Sequence, residues 1–420
     1  MKISTTILLL LLWSVFSVQA KEPFSDPLEK AARSGDPVSQ MKLADAFFFG
    51  RGRPINPALA AYWYRKAAEK NYAPAQYNLG ACCEFGWGTR KSKITAFDWY
   101  TKAAQQKLNK AIIRRSEMLF YGIPDEPEGK FKIPGIPADK QEALSALRQL
   151  KEDPAAWKSL AILLLRDPRH LKENAAEIRT LLEKSAALPQ SDPEVLLHLA
   201  TLLQEGIGGH SDQKRAADLL EKAARAKHPE ALVRYGSLLE NGLGRPLDPQ
   251  QAMLFYQKAA DAGSSRALYE LARNYQTGFH LDPDLKKAFE LFKKSADNGY
   301  PPALAALGEC WRRGYGVAVD PLKAFDFFMQ GARLEDPDSM LRLGECYQHG
   351  IGIPEDPAGA VYWFRKAAQK GQTEAIRHLA VALLRGYGLK KDVPQGTKLL
   401  KHAAALGDKE AAALLNQWSN

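Results

Sequence analysis

Apolar residues along this chain fall in short bursts at helical spacing. Between Pro229 and Ser264 they stand at Ala231, Tyr235 and Leu239, with Gly236 beside them, and after a polar break at Ala252, Phe255, Tyr256, Ala259 and Ala260. Steps of three and four place each set on one face, so this stretch predicts two amphipathic helices joined by a tight turn. The same double pattern recurs every 36 residues. YWYRKAAEK at residues 62–70 returns as YWFRKAAQK at 362–370, and this separation of 300 exceeds eight periods by 12 residues. Blocks starting at 37, 73 and 109, and again at 193, 229, 265, 301, 337 and 373, align without gaps, which confines the 12 extra residues to 109–192.

The columns of this alignment carry consistent chemistry. Column 14 is Gly in nine blocks (Gly50, Gly86, Gly122, Gly206, Gly242, Gly278, Gly314, Gly350, Gly386), as expected where a chain leaves a helix through positive backbone angles. Column 16 repeats Gly, with departures at Pro124 and His280. Column 20 supplies Asn56, Ser92, Asp139, Asp212, Asp248, Asp284, Asp320, Asp356 and Asp392, nearly all good N-caps for a second helix. That helix sets small residues in column 24 against large ones in columns 27 and 28, and the Lys of column 30 offsets the dipole in its last turn. Column 8 of the first helix is Ala or Gly, which lets helix backbones approach closely. A pair of helices cannot bury its apolar stripe alone, so the units must stack and the ends must be modified. Residues 28–36 have the columns of a second helix's end, and residues 409–419 those of a lone first helix.

The resulting pattern, seen in ALVRYGSLLENGLGRPLDPQQAMLFYQKAADAGS at residues 231–264, resembles the Sel-1-like repeat, a relative of the tetratricopeptide repeat. The resemblance covers nearly all of residues 28–420. It implies an all-α fold, a right-handed alpha-alpha superhelical solenoid of about ten two-helix repeats. The organisation expected is a signal peptide at 1–20, an N-terminal capping half-repeat at 21–36, repeats 1–2 at 37–108, irregular repeats 3–4 at 109–192 with a Pro/Gly-rich insertion near 123–139, repeats 5–10 at 193–408 and a C-terminal capping helix at 409–420. Block four, residues 154–192, departs most, with Asp167-Pro168 where the glycine turn should stand.

Composition agrees with a folded chain: 420 residues, 45% hydrophobic and 25% charged. In MKISTTILLLLLWSVFSVQA a single Lys precedes an apolar run that ends in small residues, the pattern of a secretion signal cleaved near Ala20. The mature chain is expected to be exported, periplasmic or secreted, and no later segment offers the roughly 18 apolar residues of a membrane span. The formal charge of +10 permits attraction to anionic envelope polymers. Acidic and basic residues are interleaved, however, which reads as a solvated surface and argues against nucleic-acid binding.

Motifs for catalysis are scarce. Ser39-Gln40-Met41-Lys42 and Ser211-Asp212-Gln213-Lys214 match S-x-x-K but lack the S-D-N and K-T-G companions of penicillin-recognising enzymes. The G-x-G turns lack the continuation of a phosphate loop. The His residues show no ligand spacing, so no catalytic residue, cofactor or metal site is expected. Cys82 and Cys83 are adjacent, while Cys310 and Cys346 share a column of neighbouring blocks at roughly the 8–10 Å of packed helices. That is too far for a disulfide, so free thiols are expected.

The surface remains. By resemblance to tetratricopeptide arrays, first helices line a concave groove and present columns 5, 6, 9, 12 and 13. In the C-terminal half these hold Tyr269, Glu270, Arg273, Gln276, Glu309, Arg312, Arg313, Arg342, Glu345, Gln348 and His349. Their mixed charge and forked Arg donors suit peptide carboxylates. The expected function is an exported, non-enzymatic scaffold or adaptor that holds a protein or peptide in this groove. The alternatives are a regulator or binder of cell-wall enzymes or polymers and, further off, a beta-lactamase-like hydrolase.

Overall fold

The structure, a computed structural model, describes residues 26–128, 131–279 and 281–418. The expected leader at 1–20, the start of the capping half-repeat at 21–25, His280 and the last two residues of the terminal helix lie outside the described residues.

The chain divides into two compact units. The first runs to Ser191 and includes Ile207–Gly209. A lone helix, Pro27–Ser34, precedes the pairs Pro37–Phe49 with Pro57–Glu69, Ala73–Phe85 with Lys93–Gln105, and Asn109–Tyr121 with Lys140–Gln149. Pro154–Arg166, the short Pro168–Glu173 and Ala175–Ala186 complete it. The second unit holds Asp192–Gly206 and the chain from His210 on. It contains six pairs, from Pro193–Glu205 with Gln213–Arg225 to Thr373–Arg385 with Val393–Ala405, and then Lys409–Trp418. The all-α solenoid expected from the repeat is present, with one addition that helical periodicity does not encode. Within the insertion, Glu126–Glu128 and Phe131–Ile133 pair as a small antiparallel hairpin, extended by a bridge between Ile123 and Ile136.

Local chemistry explains the boundaries. Each column-20 residue caps its second helix, as Asp248 does by accepting from the Gln251 N–H at 2.9 Å. Eight column-14 glycines leave the first helix in the left-handed region, whereas Gly122 reaches φ 71° with ψ 170° and feeds the insertion. One backbone bond recurs at every glycine turn: the cap N–H donates to the column-11 carbonyl, Asp248 to Leu239 and Asp356 to Tyr347, both at 2.9 Å. The insertion keeps this closure, since Asp139 N donates to the Leu119 carbonyl at 2.9 Å. The extra residues are therefore looped out with the closing bond kept, although the second helix of this pair has 10 residues where Pro249–Asp261 has 13. At the irregular break, Asp167 ends one helix and caps the next, accepting from Arg169 N at 3.1 Å. Lys140 donates to it at 2.7 Å and, with that capping bond, holds its carboxyl down to about 2.

In the pairs from 37, 73, 229, 265, 301 and 337 the core is a ring on a small residue, whereas Leu220 and Leu400 take the ring's place in the pairs from 193 and 373. The column-28 rings Tyr100, Tyr256, Phe292, Phe328 and Phe364 are among the largest fully buried side chains. Four of them lie over glycine in column 8: a Cβ on Gly80, Gly236, Gly308 or Gly344 would stand 2.3–2.9 Å from the facing ring. Only a missing side chain admits a ring that close. Cys82, Cys83, Cys310 and Cys346 are buried and unpaired, and burial pushes Cys82, Cys310 and Cys346 up to about 12. No helix among the described residues is long and apolar enough to cross a membrane.

Candidate functional site

In the repeats from 73 and 229 a column-12 side chain meets the column-28 ring of its own pair. In these two repeats, which have Tyr at this position, column 12 is an acid that takes the hydroxyl, Tyr100 donating to Glu84 at 2.9 Å and Tyr256 to Glu240 at 2.7 Å. In the first repeat, by contrast, column 12 is Phe48 and Tyr64 donates to Asp45 of column 9. Where the ring is Phe, at Phe292, Phe328 and Phe364, column 12 is Gln276, Arg312 and Gln348. The hydroxyl is gone and the polar side chain stays. Two of its atoms, Arg312 Nε and Gln348 Oε1, are buried without a hydrogen-bond partner. An unpaired buried polar atom costs about 1–3 kcal/mol, so these positions are unusual in a native fold.

The predicted groove residues fall into two groups, both inside the second unit. In the first, Arg273 donates to Glu270 at 3.1 Å, and the Tyr269 ring lies 5.4 Å from Tyr300 and 5.5 Å from Phe292. Burial raises Glu270 and pushes Tyr269 up to about 12. Gln276 is half-buried nearby on the same helix, and Arg273 is exposed. Ala305 and Ala306 occupy columns 5 and 6 of the following repeat, so no polar group continues the cluster there.

The second group is a ladder of ion pairs across successive first helices. Glu309 accepts from Arg312 at 2.8 Å and from Arg313 at 2.7 Å, and its other oxygen lies 3.6 Å from Arg342 Nε. Arg342 donates to Glu345 at 2.7 Å and reaches Glu374 at 3.5 Å. Arg377 extends the ladder, to Glu374 at 3.2 Å, Asp408 at 2.9 Å and Glu410 at 2.9 Å. The expected Arg-rich floor is thus self-neutralised: Arg312, Arg313 and Arg342 already hold carboxylates. Glu345, Glu374 and His378 offer three ligand atoms within 4.8 Å of one another, but Arg342 and Arg377 occupy both carboxylates.

Beside the ladder lies a cavity of about 440 Å³ whose walls include Gln348, His349, Phe364, His378, Arg385 and Tyr387. His378 stacks on Phe364 with centroids 4.7 Å apart. Burial, with Arg377 adding to it, holds His378 down to about 4, so it is neutral at pH 7. Tyr387 donates to the Gln348 carbonyl at 3.1 Å. Among the described residues, Arg385 and His349 are exposed with no ion-pair partner, and Glu355 is the one acid in the walls.

Sequence reasoning placed Gln348 and His349 here but missed Glu374, Arg377, His378 and Arg385. Arg377, His378 and Arg385 stand in columns 5, 6 and 13 of the last repeat, so extending the same columns by one period finds them. Phe364 lies on a second helix and gave no such signal. The S-x-x-K strings occupy ordinary positions: Ser39 N donates to the cap Asp36 at 2.8 Å, and Asp212 is itself a cap.

The Sel1 repeat profile matches residues 37–72, 73–108 and each 36-residue block from 193 to 408. A solved Sel1 repeat protein from Oxalobacter formigenes is 26% identical, covers 57% of this chain and 98% of its own, and superposes with a TM-score of 0.50. A protective antigen present in uropathogenic Escherichia coli strains, displaying an SLR fold, is 25% identical over 93% of this chain and 89% of its own, with a TM-score of 0.49. The DAP3-binding cell death enhancer 1 of Rattus norvegicus is 34% identical over 214 residues, 48% of this chain. The match spans only 38% of that longer protein.

Proposed function

The chain belongs to the Sel1 repeat family, whose members typically mediate protein–protein interaction, and from that premise we propose an exported, non-enzymatic scaffold. Its partner is a protein or peptide segment held on the first-helix face of the C-terminal repeats, at the cavity between the repeats starting at 337 and 373. The observation that carries this reading is the orphaned Gln348 Oε1 in the wall of that cavity. A buried acceptor without a donor is what a backbone N–H of an extended segment would satisfy. Arg385 and His349 supply donors for a carboxylate on the same segment. The predicted residues Tyr269, Glu270, Arg273, Gln276, Glu309, Arg312, Arg313, Arg342 and Glu345 act in this reading as the rest of the face. Arg312 and Arg313 serve Glu309 and hold the ladder in register. Export rests on the N-terminal apolar run and is tested separately by the mass of the mature protein.

The reading is tested by probing an array of immobilised synthetic peptides with labelled protein. Wild type should retain a subset of acidic peptides and release them as salt rises. Arg385→Glu should lose that subset. Phe364→Tyr should lose it too, because the new hydroxyl can take Gln348 intramolecularly as Tyr256 takes Glu240. Retention of the same peptides by both variants, or of none by wild type, would overturn the assignment.

A further inference from the structure

A different surface, in the first unit, carries an inference independent of that reading. Column 13 closes each first helix at its exposed edge and is polar in every aligned block from 193 on: Glu205, Asn241, Thr277, Arg313, His349 and Arg385. In the first three blocks it is Phe49, Phe85 and Tyr121. These rings are not tucked away: Phe49 is 55% exposed, Phe85 50% and the neighbouring Trp87 42%. Ring contacts join them across two repeats, Phe49 to Phe48 at 5.0 Å, Phe48 to Trp87 at 5.3 Å, and Trp87 stacked on Phe85 at 4.7 Å. The rim is cationic. Arg51 lies 5.0 Å over the Phe49 ring, and Arg90 and Lys91 are exposed just past Trp87. Arg53, by contrast, is taken by Asp26 and Glu29.

We propose that this aromatic row, Phe49 with Phe85 and Trp87, docks an extended, acidic, proline-bearing segment of a partner protein. The chain itself shows what this edge accepts. Its own Glu126-Pro127 pair is seated on the turn that follows Trp87: Arg90 donates to the Pro127 carbonyl, and Glu126 Oε1 accepts from Lys93 N at 2.5 Å and Ile94 N at 3.2 Å. Glu126 fills the amides of this helix start and Pro127 gives its carbonyl to Arg90, so the chain displays the acid-and-proline chemistry that the edge takes while the rings beside it stay exposed. Spacing extends the argument to the rings. Phe49 reaches Trp87 through Phe48 in two ring contacts of 5.0 and 5.3 Å, a span comparable to the roughly 9 Å that a polyproline II segment advances per three-residue turn. Every third residue of such a segment can therefore meet the aromatic group of the next repeat. Prolines pack on exposed ring faces at little entropic cost, and acids between them face Arg51 and Lys91.

The test is fluorescence anisotropy of a labelled Asp-Pro-Pro dodecapeptide titrated with the full chain. Saturable binding is expected, weakened about tenfold or more by Trp87→Ala and by Phe49→Ser, and weakened likewise when Gly replaces each Pro of the probe. Arg51→Glu leaves the rings in place, so it should weaken the acidic probe and favour a Lys-Pro-Pro probe whatever happens to the ring variants. Because the cavity of the second unit also takes acidic peptides, the titrations are repeated in a Phe364→Tyr background, where the losses from Trp87→Ala and Phe49→Ser should persist. The proposal is overturned by an absence of saturation, by equal binding of the glycine probe, or by unaltered affinity in both Trp87→Ala and Arg51→Glu. Displacement of the probe by soluble chitotetraose would also overturn it, by making the row a sugar platform.

Discussion

In the first two repeats the residue that closes each first helix is aromatic, Phe49 and Phe85; in the repeats at 301, 337 and 373 it is Arg313, His349 and Arg385. The buried columns hardly differ between these regions. Gly80 faces Tyr100 as Gly308 faces Phe328, and Ser92 caps its helix as Asp320 does. A stacked unit fixes only the positions it hides, so the two regions share a frame and diverge where the frame touches water. The divergence also enters the core at one place: the early Tyr100 carries a hydroxyl into Glu84, whereas the later Phe364 leaves Gln348 without a partner.

If the shared frame is what matters, the largest effect should come from a buried column. Gly308→Leu would drive a side chain into a ring that already stands 2.3 Å from its nearest possible Cβ. The expected loss is about 3 kcal/mol in urea unfolding, the upper end for overpacking. Exchanging the exposed column instead, Phe49→Arg, should stay within about 0.5 kcal/mol. Comparable losses from both would mean that the exposed column is structural as well.

A pH titration separates the regions next. Column 6 is Asn78 in the second repeat and His378 in the last. His378 titrates near 4 in the fold because it is buried and beside Arg377, against about 6.5 in the unfolded chain. The unfolded chain takes the proton first, so stability is unaffected above pH 6.5 and falls as pH drops from there to 4, by at most about 3 kcal/mol. His378→Asn, which installs the early-repeat residue, should remove this step from the second unit's unfolding curve. An unchanged acid limb in that variant would place the sensitivity in other groups.

The ring swap is smaller and reciprocal. Tyr256→Phe should cost about 1–2 kcal/mol, because Glu240 is buried and loses the donor it holds at 2.7 Å. Phe364→Tyr should cost nothing or gain up to about 1 kcal/mol by pairing Gln348. Equal costs in both directions would show that column 12 does not answer to the ring in the repeats from 229 and 337.

That match also marks the limit of what the sequence made legible. The caps, the column-14 glycines and the column-8 small residues all follow from periodicity and turn chemistry, and each stands where expected. The hydrogen bonds between Tyr256 and Glu240, or Tyr100 and Glu84, join residues 16 apart on two helices. Helical periodicity is silent about such pairs. The ladder was half visible for a similar reason: Arg312 and Arg313 read as free forks in one dimension, while Glu309 takes both only once the helix places them three and four residues away on its own face.

The smallest test concerns the second-helix exit, where the regions differ again. Column 35 is Asn71 and Lys107 in the first two repeats, at φ 59° and 61°, but Gly263, Gly299, Gly371 and Gly407 in most later ones. The left-handed conformation costs an L-residue with a Cβ about 1–2 kcal/mol, and Asn tolerates it better than Lys. Glycine removes that strain but loosens the unfolded chain, returning about 0.4–1 kcal/mol of the gain. Lys107→Gly should therefore stabilise the first unit by about 0.5 kcal/mol, and Gly371→Lys should destabilise the second by a similar amount. Glu335, at φ 61°, keeps a 2.6 Å ion pair with Lys370. An exposed pair is worth at most about 1 kcal/mol, so Glu335→Gly should come out nearer zero than Lys107→Gly. A gain at Glu335 as large as that at Lys107 would show that the exposed pair contributes nothing to the later repeats.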